Sequence, residues 1–164
     1  MPNYANLKTI YVITQVNALE ITELPNLVRL RNTLRLIPKL EWILVENAFS
    51  KSQKIINLVA ATTHPKMVHL AKKTPIKSQV SNKSAQYIAA AEWLVSKRAD
   101  LNLNSVVYFA SSTGSYTMKL FDEVSIAEKI IPDLQRDKNY LMSKLISKDT
   151  KYEKRVRLAR RICK

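Results

Sequence analysis

The sequence predicts an α/β protein: a mainly parallel sheet with helices on both faces, followed by a basic helical tail. Three observations carry this expectation. Short β-branched and aromatic runs alternate with amphipathic stretches in the order β-α-β-α-β-α-β, which suits parallel strands joined by crossover helices. The chain of 164 residues is 46% hydrophobic, an ordinary content for a folded domain. Its apolar runs are strand-length, and none approaches the roughly 20 residues that span a bilayer.

Thr9–Thr14 ("TIYVIT") is β-branched and aromatic and reads as a buried strand. Thr22 is placed to cap a helix running to about Leu36, with Leu27, Leu30, Leu34 and Ile37 on one face and Pro38 as its stop. Trp42–Val45 ("WILV") is the second strand. A second helix is expected from Ser50, turning Ile55, Ile56, Leu58 and Val59 inward until His64-Pro65 breaks the pattern. Met67–Leu70 makes a short third strand, and Lys72–Lys83 a polar connector containing Pro75. Ser84–Lys97 reads as a helix with Ile88, Ala91, Leu94 and Val95 inward, and Val106–Phe109 as the fourth strand. After Val124 the pattern changes. Ser125–Ser147 is an amphipathic helix with Ile130, Leu134, Leu141 and Leu145 on one stripe. Lys151–Lys164 continues as a basic, weakly amphipathic segment, giving an expected division into residues 1–124 and a tail of 125–164.

Charge and rare residues exclude several chemistries. The formal net charge is +14, and Lys144–Lys164 holds nine basic residues against Asp149 and Glu153, half of that total. Lys66–Lys83 adds five lysines and no acid. Such patches attract nucleic acid, sulfated glycans or acidic lipids, or simply form a solvated surface. The single cysteine, Cys163, excludes an intramolecular disulfide and a cysteine-based zinc cluster. The single glycine, Gly114, excludes Walker and dinucleotide phosphate loops, which need several glycines for close backbone approach. Met1–Ile10 lacks the shape of a signal peptide, since Asn3, Asn6 and Lys8 interrupt any apolar core.

Ligands of open parallel sheets gather at the carboxyl ends of the strands, here Thr14–Asn17, Glu46–Phe49, Leu70–Thr74 and Ser111–Gly114. At the second strand, Glu46 and Asn47 are placed to hydrogen-bond a ribose or base; alternatively Asn47 makes the turn while Ser50 caps the next helix. At the fourth, Ser111, Ser112 and Thr113 read as a helix cap, with Gly114 permitting a left-handed turn. Neutral hydroxyls do not substitute for the charged oxygens that a hard divalent cation demands. His64 and His69, the only histidines, lie in no triad or metal spacing and are expected to be structural.

Three stretches together resemble a known family: "TIYVIT", "RLRNTLRLIPKLEWILVENAFSKS" (Arg29–Ser52) and "VVYFA…Y…LF" (Val106–Phe121). From about Leu7 to Val124 the chain looks like the N-terminal, donor-binding half of the animal β-1,3-glucuronosyltransferases. The resemblance implies the Rossmann-like half of a type A glycosyltransferase fold. It also implies a UDP-glucuronic acid donor, a galactose-terminated glycan acceptor, a Mn²⁺ ion and residence in the Golgi membrane.

The departures from that family fall on its chemistry. Where its first strand leads into Pro-Thr-Tyr, this chain has Gln15, Val16 and Asn17; the Glu-Asp pair closing the second strand is Glu46-Asn47. Two arginines that meet the donor align with Asn82 and Tyr87, and the Asp-Asp-Asp motif for ribose and metal aligns with Ser111, Ser112 and Thr113, the last at the metal position. The apolar residues Trp42, Ile43, Leu44, Trp93, Tyr108, Phe109, Leu120 and Phe121 remain. Residues 125–164 are too short to supply the family's C-terminal half, which carries its catalytic base, so no catalytic residue is assigned. The expectation is a glucuronosyltransferase-like protein, truncated and catalytically impaired, without bound Mn²⁺, partnered by a second copy of itself or by an active relative. The alternatives are an active enzyme in which Glu46, Asp122 or Glu123 replaces the lost ligands, and a binding module whose Lys144–Lys164 tail engages nucleic acid or sulfated glycan.

Overall fold

The computed structural model describes residues 8–74, 82–97 and 105–126. Eight elements follow one another: β1 (Thr9–Val16), α1 (Glu23–Leu34), β2 (Leu40–Glu46), α2 (Gln53–Ala60), β3 (Lys66–Ala71), α3 (Asn82–Lys97), β4 (Ser105–Phe109) and α4 (Met118–Ile126). The four strands form one sheet in the order β3-β2-β1-β4, and all three pairings are parallel. In register, Val12 of β1 lies beside Trp42 on one side and Tyr108 on the other. This is the α/β sheet with helices on both faces that the alternating pattern predicts.

The alternation of side chains along the strands divides the core in two. On one face Ile10, Val12, Val16, Trp42, Leu44 and Tyr108 meet Leu27, Leu30 and Leu34 of α1, Ile55 and Leu58 of α2, and Phe121 of α4. On the other, Tyr11, Ile13, Ile43 and Val45 meet Ala90 and Leu94 of α3. Both faces being covered explains why β2 is buried along its whole length and reads as a nearly unbroken apolar run. Trp42, fully buried, donates its indole N–H to the Thr14 hydroxyl at 2.9 Å, so a polar atom in the core is satisfied across the β1–β2 pair.

Several boundaries differ from those the local pattern suggests. Helix α1 stops at Leu34 rather than Leu36, and Thr22 has helical backbone angles with no side-chain cap. Helix α2 starts at Gln53, not after Ser50, and its N-cap Ser52 caps nothing with its hydroxyl. Of the four apolar residues expected to point inward from α2, Ile55 and Leu58 do, while Ile56 is 38% exposed. One residue on a helix is a rotation of about 100°, so neighbours such as Ile55 and Ile56 do not share a face. Helix α3 begins at Asn82, two residues early, and buries Gln86, Ala90 and Leu94 most deeply, leaving Ile88, Ala91 and Val95 half-buried. Strand β3 gains Lys66 and Ala71 at its ends. Most of the expected connector, the expected tail beyond Ile126, and Cys163 lie outside the described residues.

Candidate functional site

Strand order places the candidate site. From β1 the chain moves through α1 and α2 outward to β2 and β3, then crosses back by way of α3 to β4 on the far side of β1. The direction reverses between β1 and β4, and in open parallel sheets the crevice beyond the carboxyl ends at that reversal is where ligands bind. Here it is bounded by Gln15, Val16 and Asn17 on one side and Ala110 to Gly114 on the other. The Ala110 N–H donates to the Ile13 carbonyl at 2.9 Å, carrying the β1–β4 pairing to the start of the loop.

The β4 loop is held from below by α1. Ser112 is buried, and its hydroxyl donates to Oε2 of Glu23, the first residue of α1, at 3.2 Å. Ser111 and Thr113 share a hydrogen bond between their hydroxyls at 3.0 Å. Further along α1, Nη2 of Arg29 donates to the Thr113 carbonyl at 3.0 Å, with the Ser112 and Gly114 carbonyls each at 3.4 Å. The Tyr116 ring folds back over the loop: the Ser111 N–H donates to its hydroxyl at 2.6 Å.

The structure thus replaces the expected role of these hydroxyls with another. Helix α4 begins only at Met118, so Ser111, Ser112 and Thr113 do not cap it. Gly114 does not adopt a left-handed conformation. Its lack of a side chain matters for a different reason. A Cβ there would lie 2.6 Å from Cζ of Tyr116, inside any real contact distance, so glycine makes room for the ring that closes the loop.

At the neighbouring strand ends, polar groups face inward on the protein itself. Glu46 is 2% exposed, and its Oε2 accepts both Nε2–H of His69 at 2.9 Å and the Ser52 N–H at 3.0 Å. One carboxylate therefore joins β2, β3 and the start of α2, and takes the place of the expected serine cap. Burial holds the His69 imidazole below its usual protonation range, against the raising effect of its hydrogen bond to Glu46 and of that carboxylate's charge. Nδ1 of His69 is buried without a partner, which a neutral ring tolerates and a protonated one would not. Asn47 makes the turn, as one of its two sequence readings has it: its N–H donates to the Val16 carbonyl at 3.0 Å and its Oδ1 accepts the Thr74 N–H at 3.1 Å.

The remaining candidates separate. Val16 is buried in the core with its side chain turned away from the crevice edge into the α1 and α2 layer. Asn17 is exposed, bonding Glu20 through Nδ2 at 3.1 Å and the Leu19 N–H through Oδ1 at 3.3 Å. Gln15 is half-buried on β1. Tyr87 packs edge-on against Phe109, 4.7 Å between centroids, on the α3 face rather than the crevice. Asn82 opens α3. Asp122 and Glu123 are exposed on α4. Among the described residues, no three His, Cys, Asp or Glu side chains come together as a metal-binding group, and no helix is long and apolar enough to cross a membrane.

Two contributors went unread in the sequence. Glu23 looks like the ordinary acid of a helix first turn, and Arg29 like one more exposed base on α1. Both act on a loop more than 80 residues away, a separation that periodicity does not register.

Comparison with known proteins agrees with this architecture. Galactosylgalactosylxylosylprotein 3-beta-glucuronosyltransferase 3 of Mus musculus is 32% identical over 141 residues, covering 75% of this chain and 42% of that protein. Galactosylgalactosylxylosylprotein 3-beta-glucuronosyltransferase 2 of Homo sapiens is 30% identical over 128 residues, covering 76% of this chain and 39% of its own length. A Drosophila melanogaster relative, galactosylgalactosylxylosylprotein 3-beta-glucuronosyltransferase I, is 29% identical over 133 residues, with 75% and 43% covered. The chain thus spans about two fifths of the length of these curated relatives. The family pattern itself matches residues 30–130, which take in α1 from Leu30 through to β4 and α4. On these matches the chain belongs to glycosyltransferase family 43.

Proposed function

We propose that this chain is a β-1,3-glucuronosyltransferase-like protein whose donor end no longer supports metal-assisted transfer. The observation that carries this reading is the state of the β4 loop. Its three side chains at the crevice are neutral hydroxyls, and each is engaged within the protein: Ser112 with Glu23, Ser111 with Thr113.

In transfer from a sugar nucleotide, a divalent ion such as Mn²⁺ neutralises the charge that grows on the departing diphosphate, an effect worth several kcal/mol. Hard cations take charged oxygens, and the carboxylates of the nearest strand ends are committed elsewhere. Oε2 of Glu46 is held by His69 and Ser52. Oε2 of Glu23 receives Ser112, and its Oε1 is sealed from solvent. Asp122 and Glu123 lie on α4, the helix that follows the β4 loop, and are exposed to solvent. This donor set does not fit Mn²⁺.

What the chain does retain is shape. Arg29 staples the loop backbone and Tyr116 covers it, so the crevice keeps its walls while its charges are gone. A role beside an active relative or as a homodimer, in the Golgi, goes with this reading; so do UDP-glucuronic acid and a galactose-terminated glycan as the ligands such a scaffold descends from binding. The test is a transfer assay with purified protein, UDP-glucuronic acid, Mn²⁺ and a galactose-terminated acceptor, paired with calorimetry of UDP with and without Mn²⁺. The expected result is no transfer above a heat-denatured control and no manganese-dependent heat. Robust turnover overturns the reading.

A further inference from the structure

Glu23 and Ser112 are both buried, at 4% and 6% exposure, and come from the two elements that flank the crevice. The hydroxyl donates and the carboxylate accepts, over 3.2 Å. The other carboxylate oxygen, Oε1, is enclosed with no partner. Burial holds the Glu23 carboxyl above its ordinary range, with the Ser112 hydroxyl, the Asn17 backbone N–H and the Lys54 charge pulling the other way and Glu20 adding to the rise. This acid is therefore only partly compensated where it stands. A second acid at 112 would replace the donating hydroxyl by an acceptor-only group, and two carboxylates sharing a buried site do not both ionise readily.

We propose that Glu23 is the residue that keeps the β4 loop neutral: its buried carboxylate matches a hydroxyl at position 112, excludes a carboxylate there, and so determines whether this loop can hold a divalent cation. Glu23 is a positioning residue in this sense, acting through residue 112 on any ion beside the loop. A carboxamide at 23 presents one acceptor oxygen and an NH2 group with two N–H donors, and that NH2 can serve an aspartate at 112 as Oε2 now serves the serine. Polarity at the two positions reverses together. Arg29 remains compatible with either state, since its contacts are to backbone carbonyls. The inference rests on the reading that the unaltered loop binds no metal, and the two fail separately.

The test compares Ser111→Asp/Ser112→Asp/Thr113→Asp with the same three changes plus Glu23→Gln, measuring manganese binding by calorimetry and by loss of the free-ion electron paramagnetic resonance signal. The variant carrying Glu23→Gln is expected to bind manganese at least about tenfold more tightly, a difference of about 1.4 kcal/mol. Equal affinities, or no binding by the variant with Glu23→Gln, overturn the inference. Should the three-aspartate variants not fold, Ser112→Asp with and without Glu23→Gln decides by urea midpoint. Rescue of Ser112→Asp by Glu23→Gln supports the pair, and equal loss in both backgrounds overturns it. Manganese binding by the unaltered chain overturns the metal-free reading instead, and the comparison between variants still reports on the pair.

Discussion

Replacing Glu46 by leucine tests whether the end of β2 is a brace or a ligand. The carboxylate accepts two N–H groups, one from the His69 ring and one from the Ser52 backbone. Leucine removes the acceptor for both. His69 has no escape by moving its proton, because Nδ1 is buried and equally without a partner. A buried donor left unsatisfied costs about 1–3 kcal/mol, and the half-buried Ser52 N–H, which water can reach in part, adds less. The expected loss is about 2–4 kcal/mol, a large share of the ~5–15 kcal/mol that holds a typical domain. In urea, with a slope of about 1–3 kcal/mol per molar, the midpoint falls by roughly 1–2 M. Removing both partners, in Glu46→Leu/His69→Leu, leaves no orphaned imidazole and is expected to cost less than Glu46→Leu alone, as buried polar pairs replaced by apolar groups often do. A Glu46→Leu protein within ~0.5 kcal/mol of the unaltered chain, the usual scatter of neutral substitutions, would refute the brace. A ligand role predicts that other pattern: stability intact, nucleotide affinity lost.

Two further outcomes follow from the same contacts. Because burial lowers the His69 pKa below its ordinary 6.5, the folded chain binds fewer protons there than the unfolded chain. Stability from this group is complete above that value and falls as the pH drops through the folded-state pKa; the advantage of the unaltered chain over His69→Gln in urea midpoint should therefore shrink between about pH 7.5 and about pH 5, and an advantage that grows on acidification refutes the assignment. Gly114→Ala should destabilise by about 1–3 kcal/mol through overpacking, because the new methyl meets the Tyr116 ring; the companion change Tyr116→Leu should remove most of that penalty, and a fully tolerated Gly114→Ala contradicts the close approach.

Much of the scaffold is legible from local pattern, and particular elements show why. The β1 and β2 runs are apolar because two helical layers cover the sheet, so "TIYVIT" and "WILV" announce buried strands without any knowledge of their partners. The α1 leucines at 27, 30 and 34 recur at helical spacing for the same reason. Caps are less legible. Ser50, Ser111 and Thr22 each look like a cap by residue type, yet the Ser52 N–H turns to a carboxylate from β2, and Ser112 turns to one from α1. A donor, whether the Ser52 backbone N–H or the Ser112 hydroxyl, takes the acceptor that tertiary structure brings within reach, and nothing local records that choice.

The sequence by itself determined the class of fold, its family and the uncharged residue types of the β4 tip, because these depend on residue type and on order along the chain. Tertiary structure alone decided where the remaining charges went: Glu46 to His69 and Ser52, Glu23 to Ser112, Arg29 to the loop carbonyls. Those partners lie six to 89 residues apart in sequence. A buried polar group must find its complement wherever the fold places one, and that matching depends on distance in space, which a linear pattern does not contain.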